Sequence, residues 1–186
     1  MNRLGVLRER ATKEEWMDDW TRGGPELREA LRHLGRLNRL FGAWGPVRCG
    51  VIRLWHDAGR PRELTVLDAG SGSGELNFRL LKWADKHRIR MNVILADVTL
   101  EAQAEAERLF RGESRVTFVR RNVFDLAANE ADIVTASQFA HHFPADRLPA
   151  VGERLLKAAR IGVVLSDIHR HWLPWAAVWL ATRLVS

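Results

Sequence analysis

After residue 62 the sequence alternates between short apolar runs and longer amphipathic stretches. The apolar runs have the length and the Val, Ile and Leu content of buried strands, whereas the amphipathic stretches are typical of surface helices. The runs are Leu64–Leu67, Val93–Ala96, Val116–Val119, Ile133–Ala136 and Ile161–Leu165, and the helix candidates are Glu75–His87, Leu100–Arg111 and Arg147–Ala159. Strands that alternate with helices predict an α/β fold with a doubly wound, mostly parallel sheet.

The first 60 residues have a helical pattern instead. Apolar residues recur at three- and four-residue intervals from Leu27 to Phe41, so they fall on one helical face, and Pro25 suits the first turn of that helix. A second helix is predicted from Pro46 to His56. We therefore expect an N-terminal helical cap segment at residues 1–60 and a ligand-binding core at residues 61–186.

Charge and composition exclude several function classes. The net charge is +6, and the basic residues are four lysines and 25 arginines scattered along the chain. Scattered arginines do not form the basic stripe that grips a nucleic acid, so we expect no nucleic-acid partner. Cys49 is the only cysteine, which excludes an intramolecular disulfide and any multi-cysteine metal site, and we expect no bound metal.

No hydrophobic targeting or membrane-spanning segment is recognisable in the sequence. The first ten residues are charged and lack an apolar core, and no run approaches the roughly 18 apolar residues that a membrane span needs. Together with the single cysteine, this pattern predicts a cytoplasmic protein with no membrane span.

The segment Val66–Glu75 is the part of the sequence most informative about a ligand. It reads VLDAGSGSGE: an apolar strand, a turn with glycines at 70, 72 and 74, and the start of an amphipathic helix. Glycines let the backbone approach a ligand closely, and the free N–H groups of the helix start favour a carboxylate or phosphate. The dinucleotide pattern G-x-G-x-x-G requires glycine at position 75, where Glu75 stands. Asp68 disfavours a neighbouring pyrophosphate and suits a ligand with a cationic ammonium or sulfonium.

This segment resembles motif I of the class I S-adenosylmethionine-dependent methyltransferases, which have a Rossmann-like fold, and the resemblance extends over residues 60–170. Asp97 ends the second predicted strand, where an acidic residue of the family takes the ribose hydroxyls. Asn122 and Val123 follow the third, at the place of the family's adenine contacts. The cofactor-binding residues that we predict for S-adenosyl-L-methionine are Asp68, Ala69, Gly70, Ser71, Gly72, Gly74, Asp97, Val98, Asn122, Val123, Ser137 and Gln138.

The end of the fourth predicted strand is similar to the small-molecule branch of the family, which includes the ubiquinone and menaquinone biosynthesis methyltransferases. It runs through Ser137–Phe143 and contains two histidines, unlike the Asp/Asn-Pro-Pro-aromatic motif of the base-methylating branch. Candidate general bases are His141, His142 and His169, because an imidazole titrates near neutral pH. Histidines at a strand end also cap helices or line walls, so both interpretations stay open.

The expected activity is methyl transfer from S-adenosylmethionine to an oxygen, or less readily a carbon, of a small and fairly apolar acceptor. Two alternatives remain at this point. One is a non-catalytic, S-adenosylmethionine-binding partner subunit. The other is an NAD(P)-dependent reductase, which Glu75 and Asp68 disfavour.

The resemblance implies a seven-strand sheet that ends in an antiparallel hairpin, but only residues 170–186 follow the fifth predicted strand. Those residues predict one helix, with Trp172, Trp175 and Trp179 on one face. We therefore expect the strand order 3-2-1-4-5 without the final hairpin. The free edge of the fifth strand then requires cover, from this helix or from a second subunit in a homodimer.

Overall fold

The computed structural model describes residues 24, 27–33 and 44–167. The predicted base His169 and the predicted helix at 170–186 lie outside the described residues, as does most of the predicted cap segment. Among the described residues, no helix is both long enough and apolar enough to span a membrane.

Five parallel strands form one sheet. They are β1 (Glu63–Ala69), β2 (Arg90–Asp97), β3 (Val116–Arg120), β4 (Ala131–Ser137) and β5 (Ala159–Ser166). The helices are α1 (27–33), α2 (Trp44–Asp57), α3 (Glu75–Lys86), α4 (Leu100–Leu109) and α5 (Leu148–Ala158).

The sheet has the order β3-β2-β1-β4-β5, which confirms the predicted fold class and strand order. β1 is central, pairing along its whole length with β2 and through Val66–Asp68 with β4. From β1 to β3 the strands are added on one side of β1, whereas β4 and β5 are added on its other side. The order of the strands therefore switches between β1 and β4, and a crevice lies between their carboxyl ends. In open α/β sheets that crevice is where ligands bind.

The two faces of the sheet have separate apolar cores. Helices α2, α3 and α4 cover one face, where Val51, Leu80 and Ala106 pack against Val66 and Val93. Helix α5 covers the other face through Val151, Leu155 and Ala158, among other residues. Helix α2 therefore belongs to the core of the sheet, and the division of the chain at residue 60 stays a prediction.

Helix α1 packs at the β2–β3 side of the molecule. Its buried residues Leu27 and Leu31 form a small cluster with Ala102 of α4, against which Phe118 also packs. The remaining face of α1 is exposed or half-buried. The four-residue spacing of the two leucines places both on the side of the helix that faces α4.

A hydrogen-bond network joins three strands at the amino edge of the sheet. Asp132 accepts a 2.7 Å hydrogen bond from the backbone N–H of Thr65 and a 2.9 Å bond from the Nε of Arg160. The Arg160 guanidinium also donates to the carbonyl of Asn129. Because these groups belong to β1, β4 and β5, the network fixes the strands at the edge opposite the ligand crevice.

Candidate active site

The glycine-rich turn follows β1 directly. Gly70, Gly72 and Gly74 all have positive φ, at 65°, 53° and 72°, a region that L side chains adopt only with strain. The N–H groups of Gly70 and Ser71 both donate to the carbonyl of Ala96, at 2.9 and 3.1 Å. The turn is thereby held against the end of β2, and its backbone faces the crevice.

Asp97 connects the turn to the start of α4. Its Oδ2 accepts from the N–H of Gly72 at 2.9 Å, and its Oδ1 accepts from the N–H and the hydroxyl of Thr99 at 3.1 and 3.0 Å. Thr99 in turn caps α4 by accepting from the N–H of Ala102. The carboxylate is therefore fixed in orientation at the carboxyl end of β2, where the ribose of a nucleoside ligand binds in folds of this type.

Asp68 lies beneath the turn and is nearly fully buried. Its two carboxylate oxygens accept hydrogen bonds from the Thr135 hydroxyl, at 2.7 Å, and from the Asn77 amide, at 2.6 Å. Burial raises the pKa of Asp68 from 3.8 to about 6; the two hydrogen bonds oppose this shift, and the nearby Asp97 adds to it. A cation at the crevice would favour the ionised form of this carboxyl group.

The connection from β3 to β4 contributes the third wall of the crevice. Asn122 caps the 3₁₀ turn Val123–Asp125, because its Oδ1 accepts from the N–H of Phe124 at 3.1 Å. Val123 is buried below it. Residues 121–130, which connect β3 to β4, contain this 3₁₀ turn and no α-helix. Asn122 lies at the same sheet edge as Asp97.

The residues after β4 form the fourth wall. Gln138 has a positive φ of 52°, and its N–H donates to the carbonyl of Ser166 at 2.7 Å, so the end of β5 holds this bend. The bend directs Phe139 back over Gly70, where a Cβ on the glycine would lie 2.1 Å from the ring. Position 70 therefore requires glycine because of Phe139 as well as because of its backbone angle.

Two histidines follow in a 3₁₀ turn, and the structure separates their environments. His141 makes a 2.6 Å contact between its Nδ1 and the carboxylate of Asp167, which also accepts from the His141 backbone N–H at 2.9 Å. The rings of His141 and His142 are 4.1 Å apart at their centroids. Of the two, His142 lines the crevice.

These walls enclose one cavity of about 370 Å³, within the roughly 300–1,000 Å³ typical of ligand sites. Every predicted cofactor-binding residue except Gly74 lines it, together with His142. Gly74 is buried behind the turn, where a Cβ would lie 2.5 Å from Leu95. Gly74 thus allows α3 to start close to β2, and it does not face the cavity. His141 also lies outside the cavity lining.

The match to a family model extends from residue 66 to residue 162, slightly more than half of the chain, and the family is described as a methyltransferase domain. The chain belongs to this methyltransferase family. The matched residues include β1 from Val66 onward, the glycine-rich turn and Asp97, as well as the connection through Asn122 and the turn with His142. Among curated proteins, no sequence matches this methyltransferase significantly.

Solved structures support the fold. A protein from Methanococcus maripaludis, provisionally assigned as an S-adenosyl-L-methionine-dependent methyltransferase, is 14% identical with a TM-score of 0.61, over 86% of this chain and 73% of that one. An S-adenosylmethionine-dependent methyltransferase from Aquifex aeolicus is 19% identical with a TM-score of 0.50, over 71% and 66% of the two chains.

Other structural matches are longer than this methyltransferase. It spans 39% of a protein from Anabaena variabilis that is provisionally assigned as a methyltransferase of an antibiotic biosynthesis pathway. That match covers 56% of this chain, at 18% identity and a TM-score of 0.45.

The cofactor of the methyltransferase is S-adenosylmethionine, and the described residues fit it. A Cβ on Gly72 would point into open space, with only Leu31 near it at 3.5 Å, so the glycine leaves room that a side chain would fill. Asp97 presents a fixed carboxylate beside that space, and Asp68 supplies a buried acid below it. Backbone N–H groups, two carboxylates and an amide thus surround one cavity, as a zwitterionic nucleoside with a sulfonium requires.

Sequence reasoning missed several residues that line the cavity. They are Leu27, Leu31, Ser73, Glu75, Leu76, Ala96, Thr99, Arg121, Leu126, Phe139 and Phe143. Phe139 and Phe143 belong to the same segment as His141 and His142, and their apolar side chains could have indicated that they line the cavity. The spacing of Leu27 and Leu31 predicts only that they share one face of a helix. Nothing in their local sequence indicates which surface that face contacts.

Proposed function

We propose that this protein transfers the methyl group of S-adenosylmethionine to a nucleophilic oxygen of a small, fairly apolar acceptor. The observation that supports the acceptor class is the contrast within one cavity. Asp68, Asp97 and the glycine-rich turn make the wall after β1 and β2 polar, whereas the wall after β4 contributes two aromatic rings, Phe139 and Phe143, beside Ser137, Gln138 and His142. A cofactor on the first wall leaves the second wall for the acceptor.

The protein's own contribution to the reaction is mainly binding and orientation. The cofactor supplies an electrophilic methyl group on its sulfonium. In this proposal Asp97 holds the ribose, Asn122 and Val123 the adenine, and the turn from Gly70 to Gly72 the amino-acid end. Holding a nucleophile in line with the methyl group accounts for about 7–11 kcal/mol of a barrier when the orientation is good.

His142 is our candidate for the general base. Among the described residues that line the cavity after β4, it is the only ionisable one. It would accept the hydroxyl proton as the acceptor oxygen forms its bond to the methyl group. His141 faces Asp167 instead and supports the turn that carries His142. An acceptor carbon needs a similar base. We prefer oxygen as the acceptor atom because small apolar molecules, such as phenols, more often carry an acidic hydroxyl group than an acidic C–H group.

Ion pairing of the arginines and the cysteine content support the proposed partners and location. The exposed and half-buried arginines of the described residues are in several cases paired, as Arg115 is with Asp85 and Glu113. Paired arginines provide little attraction for a polyanion, which supports a small-molecule acceptor over a nucleic acid. The single cysteine supports the cytoplasm as the compartment.

Calorimetry with S-adenosylhomocysteine and with NADH tests the cofactor half of the proposal. We expect binding of S-adenosylhomocysteine and none of NADH. Tighter binding of NADH would overturn the methyltransferase activity in favour of a reductase.

Transfer of a labelled methyl group to a panel of phenols, carbon acids and oligonucleotides tests the acceptor half. We expect label in a phenolic oxygen. Label in the oligonucleotides would contradict a small-molecule acceptor, and cofactor binding with no transfer to any class would favour a non-catalytic binding subunit.

A further inference from the structure

Helix α1 forms part of the cavity wall. Leu27 and Leu31 line the cavity, and both are nearly fully buried. Leu31 lies beside the glycine-rich turn, with its Cδ2 3.5 Å from the place of a Cβ on Gly72. The same two leucines pack on Ala102, at the start of α4. Any ligand that lies along the turn is therefore covered on one side by α1.

An ion pair between a half-exposed arginine and a buried glutamate attaches this helix to the core. Arg32 of α1 donates to one carboxylate oxygen of Glu105 on α4 through its Nε and its Nη2, at 3.0 and 2.6 Å. Only 4% of the Glu105 side chain is exposed, whereas about half of the Arg32 side chain is exposed. The Arg32 hydrogen bonds hold the pKa of Glu105 below its usual range. The N–H of Gly24, just before the helix, also donates to Glu101 of α4.

The other oxygen of Glu105 has a partner on its own helix. Arg108 donates to it through its Nε at 2.9 Å, one turn further along α4. The two arginines therefore share one buried carboxylate, but only Arg32 connects that carboxylate to α1. The apolar contact of α1 is small, since it consists of two leucines against Ala102 and Phe118. Beside these apolar contacts, the polar contacts of the described residues 24 and 27–33 with α4 are the Arg32–Glu105 ion pair and the hydrogen bond from the Gly24 N–H to Glu101.

We propose that the Arg32–Glu105 ion pair is a latch that holds α1 over bound S-adenosylmethionine, and that Glu105 is a positioning residue that sets how long the cofactor stays bound. This inference rests on the proposed function only in taking the cavity as the cofactor site. Glu105 acts through α1 and touches neither reacting atom. Because Leu27 and Leu31 cover one side of the cavity, movement of α1 opens that side for exchange of the cofactor, and that movement breaks the latch.

The two arginines provide a matched pair of variants. Arg32→Ala removes the latch but leaves Glu105 paired with Arg108, and Arg108→Ala removes the second cation but leaves the latch. Stopped-flow fluorescence on the full chain would measure the dissociation and association rates of S-adenosylhomocysteine. We expect Arg32→Ala to raise the dissociation rate about tenfold, the effect of losing about 1.4 kcal/mol, and Arg108→Ala to raise it less than about twofold.

Three further measurements separate a latch from a general structural role. Arg32→Lys keeps the charge and should restore a slow dissociation rate in part, since a lysine makes one contact in place of the guanidinium's two. High salt should speed dissociation from the unmodified protein and have little effect on Arg32→Ala. Hydrogen exchange of the amides at 27–33 should rise in Arg32→Ala and stay unchanged in Arg108→Ala.

The outcomes distinguish failure of the latch from failure of the proposed function. Equal dissociation rates for the unmodified protein and Arg32→Ala, with S-adenosylhomocysteine bound by both, would overturn the latch and leave the proposed function intact. Equal acceleration by both variants would also overturn it, because Glu105 would then act through α4 alone. Failure of the unmodified protein to bind S-adenosylhomocysteine would overturn the cofactor site itself, and the latch with it.

Discussion

Asn77 donates a 2.6 Å hydrogen bond to the buried carboxylate of Asp68 and so ties the first turn of α3 to the end of β1. The Thr135 hydroxyl holds the other oxygen from β4. Three elements that converge on the cavity are thus joined through one acid. Its protonation state is coupled to whatever charge enters the cavity.

The pKa of Asp68, about 6, predicts proton release when the cofactor binds. The ammonium and sulfonium groups of S-adenosylmethionine favour the ionised carboxylate and lower this pKa. Calorimetry at pH close to 6 in buffers of different ionisation enthalpy should show protons released on binding, with the effect vanishing near pH 8, where Asp68 is already ionised. Asp68→Asn should abolish the release; a release that persists in this variant would assign it to another group.

The same pKa determines how the contribution of Asp68 to the free energy of unfolding changes with pH in the absence of a ligand. The pKa in the folded protein, about 6, exceeds the ordinary value of 3.8, so the folded state binds this proton more tightly than the unfolded state. The stabilising contribution is complete below pH 3.8 and is lost as pH rises through about 6. Urea unfolding of Asp68→Asn across this range should show a flatter pH dependence than that of the unmodified protein.

Replacing Asp97 with alanine should weaken cofactor binding by about 1–3 kcal/mol, since charge-assisted hydrogen bonds to the ribose are lost. Asp97 also holds the N–H groups of Gly72 and Thr99, so a part of the loss comes from the turn. Calorimetry with S-adenosylhomocysteine measures the change, and circular dichroism checks the fold. Unchanged affinity in a folded Asp97→Ala protein would place the ribose elsewhere.

Substitutions at Gly72 and Gly112, which both have positive φ, separate the effect of backbone strain from the effect of filling the ligand space. Gly72 faces the cavity, whereas a Cβ on Gly112 would meet nothing within 4 Å. Gly72→Val and Gly112→Val should each cost about 1–2 kcal/mol of stability or more from the left-handed backbone. Only Gly72→Val should abolish binding of S-adenosylhomocysteine by calorimetry. Comparable binding by both variants would mean that the cofactor does not approach Gly72.

His142→Gln should lower kcat about 100-fold, at the lower end of the range for general bases, and leave the affinity for S-adenosylhomocysteine unchanged. His141→Gln should have a smaller effect, because His141 contacts Asp167 and does not line the cavity. The acceptor found in the labelling screen serves for both assays. A larger loss in His141→Gln than in His142→Gln would transfer the catalytic assignment to the Asp167 side.

Asp132→Ala should destabilise the protein by about 1–3 kcal/mol, because it leaves the Thr65 N–H and the Nε of Arg160 without their acceptor. The midpoint of urea unfolding measures this loss, with the exposed Asp146→Ala as a control of equal charge change. Cofactor affinity should stay constant in both, since Asp132 lies at the opposite edge of the sheet. A loss of affinity in Asp132→Ala would show that the two edges are coupled.

The fold was predictable because its signals are local. Each of the five predicted strands lies within a strand of the structure, and the periodic apolar faces placed α3, α4 and α5 to within a few residues. What could not be predicted is how the elements meet. The packing of α2 into the core beside Val66 and Val93, and of Leu31 beside Gly72, brings together residues far apart in sequence.

The candidate site shows the same division between local and distant signals. Asp68 lies near the end of β1, Asp97 ends β2 and Gly72 lies in the turn after β1, so the parallel topology alone brings them to one edge. Gly74 has the same local signal, yet Leu95 occupies the space beside its Cα, and only the packing of α3 on β2 shows this. The contact of His141 with Asp167 joins the ends of β4 and β5 and was likewise inaccessible from spacing.

The network around Asp132 has an evolutionary consequence. Its bonds join β1, β4 and β5 at the amino edge, while the acceptor wall that we propose lies in the short stretch 137–143 at the carboxyl edge. Substitutions of Phe139 or Phe143 therefore leave these interstrand bonds untouched. A library that randomises those two positions should yield mostly folded proteins that differ in acceptor preference, so a scaffold of this kind can acquire new substrates in few mutational steps.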